Sequence, residues 1–391
     1  MNINLFNADV QAFLEANREV NSATIALKKS PFPGISSAEL AAQLDARQRA
    51  KKKLPLWAST PAIYFPQKIN MEQCSSEQTA AFKSSLITEN SSLIDLTGGF
   101  GIDSFYFAKR AKSVIHCEIN QELSAIVAHN YKVLGQENIQ CFAGDGTAIL
   151  QDAAPVDYIY SDPSRRVALK KVFLLSDCEP NIVALQHQLL ASAHTIITKV
   201  APLLDISSAL RELTQVAEVF VVSLENDCKE LLFIQKKDFE GEPQVHAVRL
   251  YQGQQQQYSF RYSVESATQN SYGSPSKYLY EPDVAVTKAG AFKSIAAAYG
   301  LTKIAQHTHL YSSENLRDDF LGKIFDVQAT IPYQLFKKNA HPYQANVISK
   351  NFPLKAEELR KKHKIKEGKE EFLFFCSNEQ GELIVIYAKR V

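Results

Sequence analysis

The stretch that most constrains this chain is Leu93-Ile94-Asp95-Leu96-Thr97-Gly98-Gly99-Phe100-Gly101-Ile102-Asp103. Residues 92–96 read as a buried strand, the glycines as a turn, and the residues after them as the start of a helix running to about Lys112. Glycine reaches positive φ and lets the backbone approach a ligand closely. A strand that feeds a helix through such a turn is how an open α/β sheet makes a nucleotide pocket. The dinucleotide version needs G-x-G-x-x-G, with pyrophosphate on the helix N-terminus. Here Gly99-Phe100-Gly101-Ile102-Asp103-Ser104 lacks the third glycine. Asp95 and Asp103 would also flank a doubly anionic pyrophosphate, which is electrostatically unfavourable. S-adenosylmethionine (SAM) has no phosphate and carries an α-ammonium and a sulfonium. Carboxylates at the strand end and helix start attract it, so the charge pattern favours SAM over a nicotinamide coenzyme.

Beyond the turn, strands and helices alternate. Strand-like segments at 92–96, 113–118, 139–143, 156–161 and 195–200 are separated by helix-like ones that include 121–134, 147–153 and 181–193. A helix at 206–215 leads to strands 218–224 and 229–235, joined around Glu225-Asn226-Asp227 as a hairpin. Alternation predicts a parallel sheet with right-handed crossovers, and the hairpin predicts one reversed strand. The expected fold is α/β: a Rossmann-like, seven-stranded sheet with its last strand antiparallel, a shape that resembles the sheet of class I methyltransferases. An N-terminal helical region over 1–75 precedes the domain at 76–238, and a C-terminal α+β domain fills 239–391.

The flanks are less specific. Helices are expected at 8–17 and 37–53, the second capped by Ser36 or Ser37 with Glu39 in its first turn. Its basic end, Arg47 to Lys53, complements the helix dipole or touches RNA. Ser75 or Ser76 caps a helix to about Leu86, or that helix start closes over the methionine end of the cofactor. After Lys237 come strands at 245–251 and 258–264 with Gln254–Gln257 as the hairpin tip, and a loop at 271–276. An amphipathic helix at 288–299 follows, then strand 346–349, a basic helix at 355–364, and strands 371–376 and 383–388. His307, His309 and His341 could suggest a metal, but core or surface histidines are the better reading, and no metal is expected. The six cysteines are scattered with no C-x-x-C pair, so neither zinc nor a disulfide framework is indicated. A formal net charge of +1 gives no global field for a polyanion, so any nucleic-acid surface must be local. No long apolar run or signal-peptide pattern appears, which makes the cytoplasm the expected location and a membrane partner unexpected.

Ligands of an open α/β sheet bind off the carboxyl ends of its strands. The residues there form an ordered set: Asp95 with Thr97, Gly98, Gly99, Gly101 and Asp103 at the first strand, and Glu118-Ile119 at the second. Gly144-Asp145-Gly146 ends the third, and Asp162-Pro163-Ser164-Arg165-Arg166 the fourth. One carboxylate has lone pairs for both ribose hydroxyls, which suits Glu118, and Asp145 can accept from the adenine amino group. Arg165, Arg166, Lys170 and Lys171 cluster just beyond the fourth strand. A basic loop beside a methyl donor suits a phosphodiester, since arginine can hold a phosphate through two donors.

This arrangement resembles the class I SAM-dependent methyltransferases across 76–238. Asp95 to Gly101 matches that family's first motif, Glu118 its ribose acid, Asp145 its adenine acid, and Asp162-Pro163 its catalytic motif. Amino-group methyltransferases of the family usually carry (Asn/Asp)-Pro-Pro-aromatic there. The second proline and the aromatic are replaced here by Ser164 and Arg165. The whole chain after about residue 60 is similar to a bacterial group in which such a domain precedes a THUMP-like domain. The residues carrying that likeness are Glu72 to Glu77, Tyr280-Glu281-Pro282 with Lys288-Ala289-Gly290, and Asn351 to Leu354 with Glu358-Leu359-Arg360, beside the motifs above. The resemblance implies methylation of structured RNA, tRNA or rRNA, by direct transfer from SAM, with Asp162 and Pro163 at the acceptor. Rival readings are an RNA-binding protein whose methyltransferase fold is inactive, a protein methyltransferase, and a nicotinamide oxidoreductase.

Overall fold

A computed structural model of the chain describes residues 1–150, 154–164, 174–338 and 343–391, with the backbone alone at 166–167 and 170–171. The side chains of Arg165, Arg166, Lys170, Lys171 and His341 lie outside the described residues. The chain forms two compact units: Met1–Ala217 with Leu232–Gly241, and Glu218–Leu231 with Glu242–Val391.

In the first unit, β1 (Ser92–Asp95), β2 (Ser113–Glu118), β3 (Ile139–Ala143), β4 (Val156–Ser161) and β5 (Ala193–Val200) are parallel. The central strands bury Leu93, Ile94, Ile159, Ile196 and Ile197, as strands covered on both faces must. The hairpin β6 (Val216–Leu224) and β7 (Asp227–Lys236), whose residues 218–231 fall in the second unit, belongs to the same nine-stranded sheet, which begins β3-β2-β1-β4-β5-β7-β6. Glu225 and Asn226 both adopt positive φ, 53° and 62°, the geometry of a two-residue turn that reverses the chain. The expected class I methyltransferase sheet is therefore present.

Helix α1 (Ala8–Ala16) and helix α2 (Ser37–Lys53) precede the sheet within this unit. Ser36 and Glu39 close a full capping box on α2. Three basic side chains at the end of α2 bond within the unit. Arg47 is buried and bonds Glu15 and the Thr60 carbonyl, Lys51 pairs with Glu19, and Lys53 donates to the carbonyls of Met71 and Glu72. Helices α3 (Glu77–Ser85), α4 (Ile102–Ala108), α5 (Gln121–Val133), α6 (Ile182–Ser192) and α7 (Ile206–Glu212) also lie in the unit. Trp57, fully buried, meets Phe100 and Phe105 edge-on and anchors the glycine turn from below.

In the second unit, β8 (Gln244–Tyr251) runs parallel to β6, and β9 (Gln254–Phe260) antiparallel to β8. Gln254–Gln257 is thus strand and not hairpin tip. The turn falls at Gln252 and Gly253, whose φ values of 49° and 76° satisfy it. The strand also stops at Phe260, and Tyr262–Ala267 is helical. The expected helix over 288–299 is two helices, α8 (Val284–Ala289) and α9 (Ser294–Tyr299). Gly290, at φ 82°, ends the first in the left-handed conformation that closes a helix. A separate sheet of β10 (Tyr278–Pro282), β11 (Thr302–Ala305), β12 (Thr308–Ser313), β13 (Gly322–Pro332), β14 (Asn346–Lys350), β15 (Glu371–Ser377) and β16 (Leu383–Arg390) has the order β11-β12-β10-β13-β16-β15-β14. His309 on β12 stacks on Phe292 at 3.9 Å, so it is a packing residue. Among the described residues no helix is long and apolar enough to cross a membrane.

Candidate cofactor and catalytic site at the strand tips

The loop after β1 is shaped by three glycines. A Cβ on Gly98 would meet the His116 ring at 2.0 Å, and one on Gly146 would meet the Leu96 carbonyl oxygen at 2.6 Å. These two contacts press the loop against β2 and against the turn after β3. Gly101, at φ 81°, starts α4, and its carbonyl accepts from Tyr131 Oη at 2.8 Å. Gly99 is the opposite case. At φ 56°, its nearest neighbour to a built Cβ is 3.9 Å away, so its backbone faces open space.

Hydrogen bonds tie the tips of β2 and β4 to this turn. The Gly99 amide donates to Glu118 Oε2 at 2.9 Å, and the Asn120 amide to Oε1 at 2.8 Å. The Asp162 amide donates to Thr97 Oγ1 at 2.6 Å. Asp145, exposed, accepts through Oδ1 from the Thr147 amide and hydroxyl. Ile119 is 75% exposed beside Glu118, a large apolar side chain left on the surface at a strand tip. Tips of β1, β2, β3 and β4 therefore converge on one glycine turn.

The acids differ sharply in state. Asp95 is buried, accepting from the Thr97 amide at 3.0 Å and Ser104 Oγ at 2.5 Å. Burial pushes its carboxyl up to about 7, against the pull of those two donors. Burial works the same way on Asp103, but Lys83 and Lys199 outweigh it and hold that acid below its ordinary value. Lys83 Nζ lies 3.2 Å from Asp103 Oδ1 and 2.9 Å from Ser75 Oγ, while Ser75 Oγ and Tyr160 Oη each donate to Asp103 Oδ2 at 2.8 Å. The charge of Asp103 is thus balanced inside the fold. That corrects the expectation that it attracts the cofactor's cation by itself. Ser76, not Ser75, caps α3. His116, fully buried beneath the turn with Ser104 Oγ 3.1 Å from Nδ1, is driven by burial down to about 3 and is neutral.

Sequence reasoning missed Lys83, Tyr160, Ser104, His116 and Lys199. Lys199 was reachable: it lies near the end of β5, and reading strand tips one strand further finds it. Its ammonium forms an ion pair with the Asp162 carboxylate.

The described residues fit SAM by the chemistry of the donor set. An open glycine backbone lies beside Glu118, whose oxygens keep lone pairs for hydroxyl donors after their two amide bonds. Asp145 stands exposed at the neighbouring tip.

Two family models match the second unit: a ferredoxin-like domain over residues 278–320 and a THUMP domain-like family over 322–390. Among solved structures, a candidate methyltransferase from Porphyromonas gingivalis W83 is similar at 31% identity and a TM-score of 0.89, with 98% of each chain covered. A candidate RNA methyltransferase from Pyrococcus horikoshii is similar over 48% of this chain and 98% of its own, at 15% identity and a TM-score of 0.34. A candidate methyltransferase from Streptococcus mutans, in complex with SAH, aligns with 44% of this chain and 99% of its own at 14% identity and a TM-score of 0.31. No curated protein matches the chain.

Proposed function

From the premise that this chain belongs to the class I SAM-dependent methyltransferase family with a C-terminal THUMP-like domain, we propose that it methylates a nucleotide in structured RNA, tRNA or rRNA, using SAM. The observation that carries the use of SAM is the hydrogen-bonded convergence of Glu118, Thr97 and Asp162 on the open Gly99 turn, and the THUMP domain-like match over 322–390 supports RNA as the substrate. SAM supplies an electrophilic methyl on a sulfonium. Residues Asp95, Thr97, Gly98, Gly99, Gly101 and Asp103 form the turn that would hold its methionine end. Glu118 and Ile119 would take the ribose, and Asp145 with Gly146 the adenine.

In this reading Asp162 and Pro163 face the acceptor. Asp162 is fixed from two sides, by its amide on Thr97 and by Lys199 on its carboxylate. Such fixation holds an acceptor in line for transfer, which is where a positioning enzyme gains its rate. A target base inside a duplex would be flipped out or already unpaired. RNA contact is assigned to Arg165, Arg166, Lys170 and Lys171 on sequence grounds. The functional domains proposed are residues 1–75, 76–238 and 239–391, acting in the cytoplasm.

The test is transfer of label from methyl-labelled SAM to total RNA and to lysate protein. Label in RNA alone is the expected result. Label in protein alone would make the chain a protein methyltransferase. No label in either, with RNA still bound, would favour the inactive RNA-binding reading that the altered Asp162-Pro163-Ser164-Arg165 motif motivates.

A further inference from the structure

The ion pair at the tips of β4 and β5 bears on which atom of the nucleotide receives the methyl group. Lys199 is 12% exposed and Asp162 35%, so the pair is withdrawn from water yet open on the side of the acid. The backbone around it is fixed. Asp162 donates its amide to Thr97, and Ser164 exchanges both main-chain hydrogen bonds with Glu179. Among the described residues, Asp95 at the end of β1 acts on Asp162, and Asp103 on α4 acts on Lys199.

Charge discriminates between acceptors. An exocyclic amine becomes positive as it takes a methyl, and an ammonium at the acceptor-side acid disfavours that. A hydroxyl instead gives up its proton, which the open side of the Asp162 carboxylate is placed to take. The sequence points the same way. The proline and aromatic that follow Asp-Pro in amino-group enzymes, and that hold a base, are Ser164 and Arg165 here. A ribose needs no such stacking partner, and the 2′-hydroxyl is the one free hydroxyl on an internal nucleotide of RNA.

We propose that the acceptor is a ribose 2′-hydroxyl, with Asp162 taking its proton and Lys199 acting as a positioning residue that holds the Asp162 carboxylate in place. The proposal rests on the RNA methyltransferase reading above. In the step, a lone pair of the hydroxyl oxygen forms the O–CH₃ bond, and the electron pair of the donor's C–S bond passes to sulfur, leaving a neutral thioether. The hydroxyl proton goes to the Asp162 carboxylate and from its exposed side to solvent. One positive sulfonium and one negative carboxylate become two neutral groups, and Lys199 keeps its charge throughout.

Alkaline hydrolysis of RNA labelled by the full chain tests the acceptor. A 2′-O-methyl group blocks cleavage of the adjoining phosphodiester, so label in alkali-resistant dinucleotides is the expected result. Label in mononucleotides would overturn the hydroxyl proposal and leave the RNA reading standing, whereas an unlabelled RNA pool would overturn the RNA reading itself. Lys199→Met should slow transfer by about 100-fold, with Lys199→Arg restoring most of it by keeping the charge. Calorimetric affinity for S-adenosylhomocysteine should stay within a few-fold in both variants. An undiminished rate in Lys199→Met, no rescue by arginine, or an affinity loss beyond about tenfold would each overturn the role of Lys199.

Discussion

Replacing Asp95 by asparagine should make the protein more stable at neutral and alkaline pH, and progressively less so as the pH falls. Asp95 is 1% exposed, and burial raises its carboxyl from 3.8 to about 7. Between those values the folded chain holds a proton that the unfolded chain has released. Stability therefore declines as the pH rises through that window and stays lowered above it. At ~1.4 kcal/mol per pH unit, the full penalty is roughly 4 kcal/mol, of which about 2 kcal/mol accrues between about pH 5.5 and 8. Asparagine has the same shape and no charge. Its oxygen can accept from the Thr97 amide, and its amide can donate to Ser104, whose hydroxyl can turn toward His116 Nδ1. The assay is urea unfolding of both proteins across that pH range, because groups common to both cancel in the difference. The expected gap in unfolding free energy widens by about 2 kcal/mol toward alkaline pH. Parallel profiles would show that Asp95 ionises as easily in the fold as outside it, and would refute the argument.

Glu118→Ala should weaken S-adenosylhomocysteine by about 1–3 kcal/mol, the cost of hydrogen bonds to a charged group; unchanged calorimetry would remove Glu118 from the pocket. Asp162→Ala should abolish methylation while leaving that affinity within a few-fold, and undiminished turnover would end its assignment to the acceptor. Lys83→Met leaves Asp103 buried without its ion-pair partner and should cost about 3–5 kcal/mol; denaturant midpoints equal to wild type would show that Tyr160 and Ser75 suffice. Gly98→Ala drives a methyl into the His116 ring and should cost about 1–3 kcal/mol. A loss fully relieved by His116→Ala in the double variant would identify the clash as the cause, and no relief would disprove it.

How much was legible follows from how far each interaction reaches along the chain. The parallel strands and the reversed β7 could be read because apolar runs, helix periodicity and the Glu225-Asn226 turn act between near neighbours. The acids at the strand tips were legible for the same reason, since each closes a strand. Where local signals competed, reading failed. The apolar spacing over 288–299 looked like one helix, yet Gly290 ends it, and the polar Gln254–Gln257 run looked like a turn although strand pairing with β8 claims it.

The charge at the site was a different matter. From sequence, Asp95 and Asp103 were two anions beside a glycine turn. In the folded chain one is pushed toward its neutral form and the other is balanced by Lys83, while Asp162 shares its charge with Lys199. Sequence by itself determined the sheet and the positions of its carboxylates, because these depend on periodicity and turns. Only the tertiary structure decided which of those carboxylates carries a free charge, because ionisation depends on burial and on partners contributed by other elements.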